Sequence, residues 1–126
     1  MAQILATGVD ILEIVRIQQA VEQHGQRFLK RIFTAVELEE SAGNPSSLAA
    51  RFAAKEAVAK ALGCGIGPVS WQEIEIRRGD ARQPLLVLYG AAAEQASRQG
   101  LETWSISLSH SLTYAVATAT AIGNRD

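Results

Sequence analysis

Apolar residues at Ile4, Leu5, Val9, Ile11 and Leu12 surround Gly8 and predict an opening strand over residues 3 to 12, with a close backbone approach at the glycine. Asp10 falls near the end of that strand. From Ile14 the period changes. Ile14, Ile17 and Val21 recur at spacings of three and four, which predicts an amphipathic helix to about His24, before Gly25. Arg16 projects from its first turns. Phe28, Leu29, Ile32 and Phe33 continue as a second short helix, and Thr34-Ala35-Val36-Glu37 has the form of a capping box that starts a third at about residue 35. Asn44-Pro45-Ser46-Ser47 supplies turn and N-cap chemistry for an alanine-rich helix over residues 47 to 62, with Gly63 in the C′ position. Beyond a glycine-rich loop, Ile74 and Ile76 alternate ahead of a Gly79-Asp80 turn and the run 85–89, which predicts a β-hairpin. Gly90 to Gly100 brackets a short helix. Residues 103–109 and 113–122 form a second hairpin across Ser109-His110-Ser111-Leu112. Helices and strands are partly segregated, so the fold class is α+β: an antiparallel sheet packed against a long central helix and shorter helices.

With 126 residues the chain has the size of one domain, 1–126, so a site that needs two walls must borrow the second from another copy. A hydrophobic content of 48% with 20% charged residues describes a chain that folds around a core. Twelve basic and 13 acidic residues give a net charge of −1, which excludes a general attraction to nucleic acid or an anionic membrane. Any bound anion is therefore held by a local cluster. The first residues carry no basic leader, and no apolar run approaches the roughly 18 residues of a membrane span, so a cytoplasmic protein is expected. The single cysteine, Cys64, has no internal disulfide partner, in keeping with a reducing compartment.

On a helix, Glu56 and Lys60 lie about 40° apart and share a face with Phe52, while Arg51 and Lys55 lie on the adjoining side with Val58 and Leu62. The common reading of such a pair is a solvated ion pair worth a few tenths of a kcal/mol. Here almost all the rest of the helix is Ala, Val or Leu, as in a buried element, where charge requires a partner or a metal. Asp10 raises the same question at the end of an apolar strand, against the common reading of a turn or cap aspartate. Mg²⁺ takes one or two carboxylates and fills its octahedron with water and phosphate oxygens, so Asp10 and Glu56 suffice if they meet in space. The glycine-rich loop lacks the lysine and Ser/Thr of a P-loop and reads first as a C-cap and turn. His110 sits in a Ser-His-Ser turn, where either ring nitrogen can donate to an anion; a surface histidine at a hairpin tip is the commoner case.

Taken jointly, these segments resemble the holo-acyl-carrier-protein synthases, the small single-domain phosphopantetheinyl transferases. The family's first motif, Gly-x-Asp followed six residues later by Arg-Ile, stands here as Gly8-Val9-Asp10 and Arg16-Ile17. Its second stands as Phe52, Lys55-Glu56-Ala57 and Lys60, and the correspondence runs on to Ser107-Leu108-Ser109-His110-Ser111. The resemblance implies transfer of 4′-phosphopantetheine from coenzyme A to a serine of an acyl carrier protein, with release of adenosine 3′,5′-bisphosphate, in fatty acid synthesis. It implies Mg²⁺ held by Asp10 and Glu56 and bridging the coenzyme A pyrophosphate. Glu56 would accept the serine proton, directly or through a metal-bound water, and Lys60 would stabilise phosphate charge or assist the leaving group. Arg51 and His110 match positions that contact the nucleotide phosphates, with Gly63 and Gly65 lining the same anion site through backbone N–H groups. Arg16 matches the arginine that docks the acidic helix of the carrier, with Arg27, Lys30 and Arg31 as further candidates. The family's assembly implies a homotrimer with each coenzyme A site between adjacent subunits. The chain departs from the pattern at Cys64, where threonine is usual, and at Arg82-Gln83-Pro84, in place of Gly-Lys-Pro. Two rival readings are a similar transferase serving polyketide or other carriers and a non-catalytic module that binds carrier or nucleotide without turnover.

Overall fold

The computed structural model describes residues 2–125. The opening strand β1 (Ala2–Glu13) runs straight into α1 (Ile14–His24), which ends at Gly25 with φ +53°. Two short helices follow, α2 (Gln26–Ile32) and α3 (Ala35–Ser41). The capping box that predicts α3 is present: Glu37 N–H donates to Thr34 Oγ1 at 3.3 Å and Thr34 N–H donates to Glu37 Oε1 at 2.8 Å. The central helix α4 (Pro45–Ala61) begins two residues earlier than its alanine run suggests. Asn44 is the cap, its Oδ1 accepting from Ser46 and Ser47 N–H, and Pro45 takes the first helical position, where no N–H is needed.

A 3₁₀ turn at Trp71–Glu73 leads into the hairpin β2 (Ile74–Arg78) and β3 (Pro84–Leu88), then α5 (Gly90–Gln99), β4 (Leu101–His110) and β5 (Tyr114–Arg125). The strands form two antiparallel sheets. One is the β2–β3 hairpin, and the other has the order β1-β5-β4, so the first strand pairs with the last. Both β1 and β4 are edge strands of that sheet.

Side-chain size sets how close α4 lies to the sheet. Ala115, Ala117, Ala119 and Ala121 of β5 point inward and are fully or almost fully buried, as are Ala49, Ala53, Ala54 and Ala57 of α4. Alanine against alanine lets helix and sheet backbones approach closely. The approach is closest at Gly8, where a Cβ would stand 2.0 Å from the Ala57 carbonyl oxygen and 2.9 Å from Ala61 N. The even-numbered residues of β1 face α4, so Asp10 lies on the same side as Gly8 and looks along the last turns of the helix. The odd-numbered residues face away. That outer face exposes Leu5, Val9, Ile11 and Ile122, with Thr and Ser from β4 and β5 beside them.

The 3₁₀ turn is joined to α5 through Glu73, whose carboxylate accepts from Ser70 N–H at 2.7 Å and Ala91 N–H at 2.6 Å. These two N–H groups hold the carboxyl below the ordinary glutamate range. A carboxyl whose folded-state value lies below the unfolded one contributes stability that is fully present above the unfolded value and is lost as pH falls through the folded one. Denaturant titrations across acid pH are therefore expected to show the stability gap between the native chain and Glu73→Gln closing as pH drops. A gap that stays constant would show that this carboxylate is not linked to folding.

Candidate active site

Three candidate side chains come together where β1 crosses the end of α4. Lys60 Nζ donates to the Val9 carbonyl at 2.9 Å and pairs with Asp10 Oδ1 at 3.2 Å. Glu56 stands one turn earlier on the same helix face. Burial, and next the negative charge of Asp10, push its carboxyl above the ordinary range, and the nearby Lys60 offsets them only in part. The two carboxylates named from sequence are thus electrostatic neighbours. The face itself is more open than the alanine-rich sequence suggests: Phe52 and Glu56 are half-buried and the Lys60 side chain is 51% exposed. The fully buried charges lie on the other side of α4.

Two carboxylates against one ammonium leave a net negative charge at a partly desolvated position, which suits a divalent cation. Among the described residues no group of three or more metal-ligating side chains occurs. A metal here would take its remaining ligands from water and phosphate oxygens, the habit of Mg²⁺ rather than of zinc or calcium.

Arg51 and His110 come together elsewhere. They line a cleft of about 480 Å³ with Arg78, Arg82, Ser107 and Ser109, at the β4 edge of the sheet. Arg51 is buried, bonded to the Ile76 carbonyl and to the hydroxyls of Ser41 and Ser47, and paired with Glu40 at 2.9 Å. It therefore braces the cleft wall as much as it offers charge, while Arg82 and His110 make no side-chain bond among the described residues. Arg51 and Glu56 point about 140° apart around α4. The cleft and the carboxylates open at opposite edges of the sheet.

Gly63 and Gly65 form the C-cap and turn that the glycine pattern predicts, and their N–H groups do not fit the anion-site role that the resemblance implies. The N–H groups expected to line an anion site are engaged at the end of α4, Gly63 donating to the Lys60 carbonyl at 2.9 Å and Gly65 to that of Ala59 at 3.2 Å. Both glycines have positive φ and open space where a Cβ would project. They close the helix and leave room beside it. Arg16 is well exposed, with only a 3.4 Å contact to Glu13.

Sequence reasoning missed two features. Phe52 and Trp71 stack with ring centroids 4.7 Å apart and form, with Phe28 and Ile32, a groove of about 420 Å³ rimmed by His24, Arg27 and Arg31. The groove leads along α4 toward Glu56. Beneath it, Lys55 and Glu37 make an ion pair at 2.7 Å with both side chains 0% exposed. The signal for this pair was the placement of Lys55 on the Val58 side of the helix, where a charge demands a partner.

The family model for the 4′-phosphopantetheinyl transferase superfamily matches residues 6–119. A holo-acyl-carrier-protein synthase of Herpetosiphon aurantiacus is 47% identical over 126 residues, covering 94% of this chain and 99% of its own. One from Chlamydia trachomatis serovar L2 is 52% identical over 118 residues, covering 90% and 96%. The crystal structure of the Helicobacter pylori holo-acyl-carrier-protein synthase in complex with coenzyme A matches with a TM-score of 0.84 at 33% identity, covering 91% of this chain and 98% of that one.

Proposed function

Since the chain belongs to the 4′-phosphopantetheinyl transferase superfamily, among its holo-acyl-carrier-protein synthases, we propose a residue-level account of how it carries out that reaction. It transfers 4′-phosphopantetheine from coenzyme A to a serine hydroxyl of the apo acyl carrier protein. The serine oxygen bonds to the phosphorus that carries pantetheine, the bridging P–O bond of the pyrophosphate breaks, and adenosine 3′,5′-bisphosphate leaves. The observation that carries the assignment of roles is the meeting of Asp10 with the Glu56–Lys60 face of α4.

Asp10 and Glu56 would hold Mg²⁺. When bound, the ion supplies charge neutralisation at the pyrophosphate. Glu56 accepts the serine proton. Lys60 stabilises the charge that develops on the departing phosphate. His110 and Arg82, with Arg51 behind them, receive the nucleotide phosphates in the β4-edge cleft. Gly63 and Gly65 leave space for the coenzyme beside the end of α4.

The carrier occupies the Phe28–Phe52–Trp71 groove. Its basic rim suits an acidic partner helix, its floor suits apolar side chains, and Phe52 precedes Glu56 by one helical turn, so a docked serine is directed at the carboxylates. Arg16 extends the basic surface from α1.

A half-site at each edge of one sheet is completed when copies are arranged in a ring, the β1 edge of one chain against the β4 edge of the next. The exposed apolar residues of the outer sheet face support the same arrangement as a homotrimer. Leu5→Glu places a charge on this face, at a residue 72% exposed in the single chain, and is expected to yield monomers by light scattering together with loss of transfer. A variant that keeps the native mass would remove this face from the interface. The whole chain acts as one transferase domain, and the reaction belongs to the cytoplasm and to fatty acid synthesis; no described helix is long and apolar enough to cross a membrane.

Incubation with coenzyme A, Mg²⁺ and apo carriers of the fatty acid and polyketide types, followed by intact-mass measurement, tests the assignment. The fatty acid carrier is expected to gain the phosphopantetheine mass fastest. Preference for the other carrier overturns the substrate, and no gain on either overturns the reading.

A further inference from the structure

The 3₁₀ turn at Trp71–Glu73 is three residues long and has no sheet or long helix of its own to fix it. Neighbouring elements fasten it instead. From below, Lys55 Nζ donates to the Trp71 carbonyl at 2.9 Å and the Ile74 carbonyl at 2.5 Å while pairing with Glu37 Oε1 at 2.7 Å. An ammonium has three protons to donate, and these three acceptors take them all. Lys55 thus has no donor left for substrate, although it sits next to Glu56 in sequence. Glu37 is held in turn, Oε2 accepting from Ile76 N–H at 2.8 Å and Oε1 from Thr34 N–H. From the side, the Gln72 amide donates to the carbonyls of Lys30 and Phe33 at the end of α2. What these contacts fix in place is the Trp71 ring, laid against Phe52 as one wall of the groove.

A buried ion pair is weak evidence for stability, since apolar residues of similar volume often stabilise as well or better. Its distinctive contribution here is directional: it sets the height and tilt of the turn above α4. We propose that Lys55 and Gln72 are positioning residues for the carrier groove, holding Trp71 against Phe52 so that they govern affinity for the carrier protein rather than for coenzyme A. This inference rests on the carrier reading of the groove.

The test measures KM separately for apo carrier and for coenzyme A in Gln72→Ala, Lys55→Met and the double variant Glu37→Leu/Lys55→Met, with Trp71 fluorescence followed in a Trp104→Phe background. Gln72 is exposed, so its variant folds. Its loss is expected to raise the carrier KM about five- to tenfold and to shift the Trp71 spectrum, with the coenzyme A KM as internal reference. Lys55→Met is expected to do more. The double variant regains thermal stability but not carrier affinity, which separates positioning from simple structural support. Arg27→Glu and Phe28→Ala serve as probes of the groove itself. If they leave the carrier KM unchanged, the carrier reading fails and this inference with it. If they raise it while Gln72→Ala does not, or if the double variant regains native affinity, only the positioning role is overturned.

Discussion

Glu56→Gln is expected to lower kcat roughly 10²- to 10⁴-fold, the range for loss of a positioned proton acceptor, while the protein folds as before. Gln keeps the shape and volume of Glu, and the one favourable charge partner of the carboxylate, Lys60, is also paired with Asp10. The native carboxylate is disfavoured where it stands, by burial and by Asp10. Removing it relieves that repulsion, so thermal stability is expected to hold or rise slightly. Activity loss with unchanged melting is the signature of a group retained for chemistry. A Glu56→Gln variant with native transfer rates would take Glu56 out of the mechanism.

Gly8→Ala strikes the same site without touching a reacting group. Its methyl would meet the Ala57 carbonyl and Ala61 N, and because these are backbone atoms no side chain can rotate away. Helix α4 must move from β1, at a stability loss of about 1–3 kcal/mol. The larger effect is on activity. Asp10 and Glu56 belong to the two elements being separated, and a misplacement near 1 Å is enough for a loss of about 100-fold. Transfer per folded molecule, with the folded fraction determined by circular dichroism, is the quantity to compare. Native specific activity in Gly8→Ala would mean that the contact between strand and helix does not set the geometry of the carboxylates.

Half of this contact was legible in the sequence, the need for a close approach at Gly8; its partner, Ala57 and Ala61 of α4, came from the packing. A glycine inside an apolar strand signals close backbone approach, and the alanine-rich helix is the element thin enough to make it. The capping box at Thr34–Glu37 was equally readable, because its rule is local. Its second use was not: Glu37 also neutralises Lys55 and receives the Ile76 N–H, contacts that depend on how α3, α4 and β2 pack. The groove wall was hidden for the same reason, since Phe52 and Trp71 become neighbours only through the 3₁₀ turn. The glycines after α4 were legible as what they are, a C-cap and turn, while the anion site came only from the resemblance. A glycine-rich loop offers N–H groups to an anion only if the helix end does not claim them, and here it does. Sequence also placed Arg51 and Glu56 on one helix without revealing that they lie toward opposite edges of the sheet. That follows from the pairing of β1 with β5, which no local signal encodes.

The proposed chemistry depends most on Asp10 and Glu56 gripping one cation together, and Mn²⁺ reports that directly, since carboxylate and water sites that suit Mg²⁺ also accept it. Electron paramagnetic resonance of Mn²⁺ titrated into the protein with coenzyme A present should show one bound ion per chain, displaced by Mg²⁺ and strongly weakened by either Asp10→Asn or Glu56→Gln. Undiminished Mn²⁺ binding in either variant would contradict it.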